Sequence, residues 1–97
     1  MALQNSAGDD ISMRRRRMRY RAWHRGTREM DLILGPYADA YIADMDVAGL
    51  DRLEALMEAE DTDLLRWILG QEPPPPEADH DLLAVLAAFN DERLRAR

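Results

Sequence analysis

A long apolar pattern lies in residues 30–45, which read MDLILGPYADAYIADM. Its apolar side chains recur three and four positions apart, the spacing that places them on one side of an α-helix. They are Met30, Ile33, Leu34, Tyr37, Tyr41, Ile42 and Met45. The pattern predicts an amphipathic core helix. Gly35-Pro36 falls inside it, and because proline lacks an amide hydrogen and clashes with the preceding turn, we expect a kink or a break there.

Four shorter helices are predicted around this core helix. An arginine-rich helix starts near Met13 and ends before Gly26, and the other helix starts are marked by side chains able to cap the backbone: Thr27, Asp46, Asp61 or Thr62, and Asp79. The apolar stripes predict a core of Met30, Ile33, Leu34, Tyr37, Leu53, Leu56, Ile68, Leu82, Leu86 and Phe89. A run of four prolines, residues 73–76, separates the last two helices as a stiff extended connector.

No segment alternates apolar and polar residues as a strand does, so the expected fold class is all-α, a compact bundle of about five short helices. The chain has 97 residues, which is enough for one small domain. We expect a disordered N-terminal tail over residues 1–12, a single helical domain over residues 13–92 and a frayed C-terminus over residues 93–97.

Composition argues against several classes of site. The chain has no cysteine, which excludes disulfides and thiolate chemistry, and its histidines, His24 and His80, have no second metal ligand at helical spacing. A domain this small cannot readily enclose a cofactor and keep its own core. We therefore expect neither a metal site nor a self-sufficient enzyme. No apolar run approaches a membrane span of about 20 residues, and we expect the protein to stay inside the cell.

Charge is divided unevenly along the chain. Residues 1–28 contain eight arginines and two aspartates, a net charge of +6, whereas residues 29–97 contain five arginines and seventeen acids, a net charge of -12. The basic arm either meets an anionic partner or folds back onto the acidic part of its own chain. Arginines interleaved with Tyr20 and Trp23 also suit nucleic acid, although a total charge of -6 opposes a polyanion.

The segment Arg25-Gly26-Thr27-Arg28-Glu29 forms the predicted turn between the first two helices. Glycine there has two interpretations: it ends a helix, or it lets the backbone of a partner approach closely. The segment is therefore either a docking corner on a partner protein or a capped turn carrying a solvated ion pair of arginine and glutamate.

Residues 17–31, RMRYRAWHRGTREMD, resemble the signature of the SdhE family, whose hallmark is an Arg-Gly-x-x-Glu motif. Residues 61–67, DTDLLRW, are similar to a second segment of that family, Asp-x-Asp-Leu-aromatic-x-Trp, from which Leu65 departs. The resemblance extends over about residues 14–90 and includes the order of the helices and the proline-rich connector. Two motifs in register on so short a chain make the resemblance specific.

The resemblance implies a factor that binds the flavoprotein subunit of succinate dehydrogenase, and by extension that of fumarate reductase, and promotes covalent attachment of FAD. The histidine that accepts the flavin then belongs to the partner, no cofactor is held stably by this chain, and the free factor is a monomer. Carried over by motif, the partner-binding residues are Arg25, Gly26 and Glu29, flanked by Arg17, Tyr20, His24 and Asp31.

Two further expectations concern the location of the protein and the rival function. An arginine-rich N-terminus is also typical of mitochondrial transit peptides, but cleavage within it would remove the family motif, and Asp9-Asp10 is unusual in such a peptide. The bacterial cytoplasm is therefore preferred to the mitochondrial matrix. The rival function is a small arginine-rich module that binds nucleic acid or acts in regulation.

Overall fold

A computed structural model describes residues 2–96, with side chains from Ile11 to Ala96. The described chain contains a short 3-10 helix, Ile42–Asp44, and five α-helices, which are α1 Ala2–Trp23, α2 Arg28–Tyr41, α3 Val47–Met57, α4 Asp61–Ile68 and α5 His80–Arg95. The described residues include no strand. The predicted all-α bundle of five helices is thereby confirmed.

Three of the four predicted helix caps are present. Thr27, Asp46 and Asp79 each accept a hydrogen bond from the backbone N–H three residues later, at 3.4, 2.9 and 3.0 Å. The cap predicted for α4 is wrong, because α4 follows Glu60, which makes no capping bond, and Asp61 is the first residue of the helix. The carboxylate of Asp61 is used elsewhere, in an ion pair with Arg25.

The core matches the predicted stripes in all but one position. Of the ten predicted residues, all are buried except Phe89, which is half-buried and packs edge-on against Tyr37 with ring centroids 5.6 Å apart. Phe89 also packs against Tyr41, which is exposed, so Phe89 lies at the rim of the core. Helix α1 contributes Met18 and Ala22 to the core, and α2 contacts α1 and α5.

We expect Leu86→Ala to reduce the free energy of unfolding by about 2–5 kcal/mol, the usual cost of a cavity at a fully buried leucine. Leu86 has no exposed surface, whereas its neighbour Val85 is 48% exposed. Val85→Ala is therefore the matched control, with an expected change within about 0.5 kcal/mol. Equal effects of the two changes in urea unfolding would show that the face of α5 is misassigned.

The sequence predicts a kink or a break at Gly35-Pro36, and helix α2 passes through Pro36 without a break. In a regular helix the amide of residue 36 would donate to the carbonyl of Leu32, and proline has no such donor. Nη2 of Arg93, in the last turn of α5, donates to the Leu32 oxygen instead, at 2.7 Å. The carbonyl freed by Pro36 is thus hydrogen-bonded from another helix.

Gly35 allows α1 to pack closely on α2. The indole ring of Trp23, the last residue of α1, occupies the space where a Cβ atom at position 35 would lie. The indole Nε1–H donates to the Asp39 carboxylate at 3.2 Å, which fixes the ring along α2. Glycine at position 35 is therefore required by interhelical packing.

Both ends of the chain are more helical than the sequence suggests. Helix α1 begins at Ala2, whereas the sequence places its start at Met13, and α5 continues to Arg95, beyond the expected limit at residue 92. Once a helix is nucleated, each further residue adds one hydrogen bond, so helices extend past the residues that pack. The boundaries of the domain stay a prediction. None of the described helices has the length and apolar character needed to cross a membrane.

Candidate docking surface at the α1–α2 turn

The turn between α1 and α2 is shaped by Gly26. Its φ of +108° lies in a region that side-chain-bearing residues rarely adopt, and the space around a Cβ at this position is open. On one side of Gly26, the backbone N–H of Arg25 donates to the Asp31 carboxylate at 2.6 Å. On the other side, Thr27 caps α2. The turn therefore has one defined conformation, with its glycine at the surface.

Arg25 ties this turn to the junction of α3 and α4. Its guanidinium lies 2.8 Å from Oδ1 of Asp61 and also donates to the carbonyls of Met57 and Ala59. The Arg25 and Asp61 side chains are only 12% and 14% exposed. Thr27 Oγ1 donates to the other oxygen of Asp61 at 3.2 Å, so one carboxylate receives both ends of the turn.

The remaining predicted residues lie at the surface. Tyr20 and His24, one helical turn apart, stack with ring centroids 3.9 Å apart and planes 18° apart. Nδ1 of His24 lies 2.7 Å from the Tyr20 carbonyl oxygen, and since a carbonyl can only accept, Nδ1 is the donor of this hydrogen bond. Arg17 and Glu29 are also exposed.

The basic arm folds back onto the acidic part of the chain only in part. Arg14 lies 2.7 Å from Asp51 and from Glu54, and Arg21 lies 3.2 Å from the same glutamate. Arg16 and Arg17 are exposed and form no ion pair with a described side chain. These two arginines and Tyr20 border an open depression on α1, whose positive charge favours an anionic neighbour.

Comparison with known proteins identifies the family. Residues 16–90 match the family model described as flavinator of succinate dehydrogenase. The chain belongs to this family. The FAD assembly factor SdhE of Acetobacter pasteurianus is 35% identical over 89 residues, which are 92% of this chain and 80% of that protein. The mitochondrial succinate dehydrogenase assembly factor 2 of Drosophila grimshawi is 30% identical over 84 residues, 84% of this chain and 57% of that protein. No solved structure matches.

Membership confirms the resemblance found in the sequence. The family consists of assembly factors of succinate dehydrogenase rather than catalytic enzymes. Among the described side chains, no group of three histidines or acids is placed to hold a metal ion.

Within this family member, the predicted site residues divide into two sets. Arg17, Tyr20, His24, Gly26 and Glu29 are exposed around the turn, and we call these five residues the docking surface. Arg25 and Asp31 point into the protein and hold the turn. The acceptor of Arg25 is Asp61, 36 positions away, rather than a glutamate of the turn.

Sequence reasoning missed Asp61 as part of the site, although it is the first residue of the second family motif. The sequence predicts Asp61 as a possible helix cap, because an aspartate near the start of a helix ordinarily caps it. The arrangement shows that the two motifs meet in space: the first forms the turn, and the second supplies the carboxylate that holds it.

The ion pairs of Glu54 with Arg14 and Arg21 predict how the stability of the fold changes at acidic pH. Hydrogen bonds from these two guanidinium groups lower the pKa of Glu54 from its ordinary value of 4.5. A carboxylate with a lowered folded-state pKa adds stability above its unfolded pKa, and the contribution is lost as pH falls through the folded value. We expect Glu54→Gln to flatten the loss of stability below pH 4.5, as measured by thermal melts. An unchanged slope would contradict the pairing.

Proposed function

We propose that this assembly factor binds the flavoprotein subunit of succinate dehydrogenase and promotes covalent attachment of FAD to it. The family, described as flavinator of succinate dehydrogenase, supports this role, and the relatives are named an FAD assembly factor and a succinate dehydrogenase assembly factor. The flavoprotein of fumarate reductase is proposed as a second client. We place the protein in the bacterial cytoplasm, as a monomer when it is not bound to a client.

The observation that carries the proposal is the contrast between a braced turn and an open surface above it. Arg25, Asp61 and Asp31 fix the backbone on both sides of Gly26, while no described atom lies near the position of its missing Cβ. A surface that is already ordered loses less conformational entropy on binding. Glu29, in the first turn of α2, has its carboxylate free of described ion pairs and available to a donor on the partner.

The proposed mechanism is positioning. The histidine that accepts the flavin is on the partner, and FAD reaches this chain only through the partner. By binding the flavoprotein, the factor holds the arrangement in which that histidine meets the flavin, so that proximity and orientation accelerate bond formation. Tyr20 and His24, stacked beside the turn, offer a flat aromatic surface to the partner.

The test is capture of the flavoprotein subunit by the full chain, with flavin fluorescence of the partner read on a denaturing gel in cells lacking the native factor. We expect a complex and a covalently bound flavin that depends on the factor. Glu77→Gln, an exposed change in the proline-rich connector, is the control and should behave like the parent. Failure to capture the flavoprotein would contradict the proposal, and binding to mixed RNA and DNA that weakens steeply with salt would favour the nucleic-acid function.

A further inference from the structure

We infer that Arg93 is a positioning residue for the docking surface: by donating to the carbonyl that Pro36 frees, it fixes the half of α2 that carries Glu29. This inference rests on the proposed function, because it concerns how the same surface is presented to the flavoprotein. It assigns a role to a residue that lies in the segment expected from sequence to be frayed, far from either family motif.

Pro36 creates a potential hinge in α2. A proline inside a helix leaves one carbonyl without its amide donor and lets the helix bend at that point. In α2 this carbonyl is that of Leu32, four residues before Pro36. The turn that follows Thr27 and contains Glu29 therefore lies on the N-terminal side of a potential hinge.

The side chain of Arg93 donates to the carbonyl that Pro36 leaves without an amide donor. Nη2 of Arg93 lies 2.7 Å from the Leu32 oxygen, and the two residues are 61 positions apart in sequence. The bond joins the last turn of α5 to α2 ahead of the hinge, and Phe89 of α5 packs on Tyr37 behind it, so α5 contacts α2 on both sides of Pro36. Arg93 thereby replaces the missing amide with a side chain from another helix.

Arg93 affects the geometry of α2 more than the stability of the fold. Arg93 forms no ion pair with a described side chain, and its Nε–H is buried without an acceptor in the described part of the chain. A buried, unpaired donor is locally unfavourable, and an ordered arginine loses side-chain entropy. Leu32 is 41% exposed, so water could reach this part of α2 and satisfy its carbonyl. The contribution of Arg93 is therefore mainly geometric.

The hydrogen bond from Arg93 to Leu32 affects the docking surface through Glu29. Glu29 and Leu32 are three residues apart, so they lie on the same face of α2. Asp31 and the Thr27 cap tie this end of α2 to the turn, so a change in the direction of the helix ahead of Pro36 moves Glu29 and the turn together, relative to Arg17 and Tyr20 on α1. Without Arg93, the docking surface keeps all its residues and loses their fixed relative placement.

The experiment is a double-mutant cycle on the full chain. Arg93→Met keeps the apolar stem and removes the donors, whereas Pro36→Ala restores the amide that Leu32 lacks. We expect Arg93→Met to weaken binding of the flavoprotein subunit about tenfold in calorimetry. Pro36→Ala should bind like the parent, and the double variant should bind like Pro36→Ala. Arg95→Met, an exposed arginine on the same helix turn, is the control and should have no effect.

Other patterns overturn the inference. Parent-like binding by Arg93→Met would exclude a positioning role, and a double variant as weak as Arg93→Met would show that Arg93 acts by its charge or by touching the partner. If Glu29→Ala also binds like the parent, the docking surface itself is wrong and the positioning role falls with it, a pattern distinct from failure of Arg93 alone.

Amide hydrogen exchange of Leu32, Ile33 and Leu34 in the free protein gives a readout independent of the partner. Exchange should be faster in Arg93→Met and return to the parent rate in the double variant. Arg93→Lys, which keeps a donor, covers the case in which Arg93→Met is poorly folded, and should bind more tightly than Arg93→Met. Unchanged exchange in Arg93→Met would contradict the inference.

Discussion

Replacing Arg25 by methionine is expected to destabilise the fold by about 3–5 kcal/mol, the cost of breaking a buried ion pair by removing one partner. The change leaves the Asp61 carboxylate and the carbonyls of Met57 and Ala59 without their donor, and the Arg25 and Asp61 side chains are almost covered by protein. Sequence reasoning places Arg25 in the docking contact with the partner. The structure assigns it a large share of the stability of the turn.

Urea unfolding followed by circular dichroism measures this effect. Arg66→Met is the matched control, because Arg66 pairs with Asp63 and Glu72 at the surface, where ion pairs contribute at most about 1 kcal/mol. Arg25→Lys keeps the charge and loses the fork that serves three acceptors, so its stability should fall between those of Arg25→Met and the parent. Similar stabilities for Arg25→Met and Arg66→Met would refute the bracing role.

The second large effect is on function: Glu29→Ala and Gly26→Arg are expected to fold and yet fail to support flavin attachment to the flavoprotein. Glu29 is exposed, and its loss from the first turn of α2 should cost only about 0.3–1 kcal/mol through the helix dipole. Against a partner, removing one member of a buried charge pair costs about 2–5 kcal/mol. The space around a Cβ atom at position 26 is open, so an arginine there adds bulk at the surface that the proposal assigns to a partner backbone.

Gly26→Ala separates the two consequences of losing this glycine. Any side chain at a φ of +108° strains the turn, so both Gly26 variants should lose stability, by about 1–2 kcal/mol or somewhat more. Only the arginine adds bulk, so flavin attachment should be lost more completely in Gly26→Arg than in Gly26→Ala. The comparison uses thermal melts and in-gel flavin fluorescence in cells lacking the native factor. Normal flavin attachment with both Glu29→Ala and Gly26→Arg would falsify the docking surface.

Local features of the fold could be predicted from sequence because they depend on neighbours in the chain. Apolar spacing predicts the buried faces of α2, α3, α4 and α5, and capping side chains mark the starts of α2, α3 and α5. Each of these signals acts over three or four residues, which is the range of helical periodicity. The predicted docking residues were likewise found as one contiguous motif.

The features that sequence missed are bonds between distant residues. Asp61 serves Arg25 from 36 positions away, and Arg93 serves the Leu32 carbonyl from 61 positions away. Neither separation in sequence follows a helical period. Each residue also has a more common local interpretation: Asp61 as a helix cap, and Arg93 as part of a solvated helix end. Only the packing of helices decides which of the many arginines and carboxylates meet.

The contact between Trp23 and Gly35 limits how the protein can be engineered. Replacing helical glycines by alanine is a standard way to raise thermostability, with a gain in helix propensity of about 1 kcal/mol per site. At position 35 the added methyl group collides with the indole ring, and overpacking of this kind typically costs about 1–3 kcal/mol. The substitution that improves the isolated helix therefore loosens α1 from α2, so consensus or propensity-based redesign should leave this glycine unchanged.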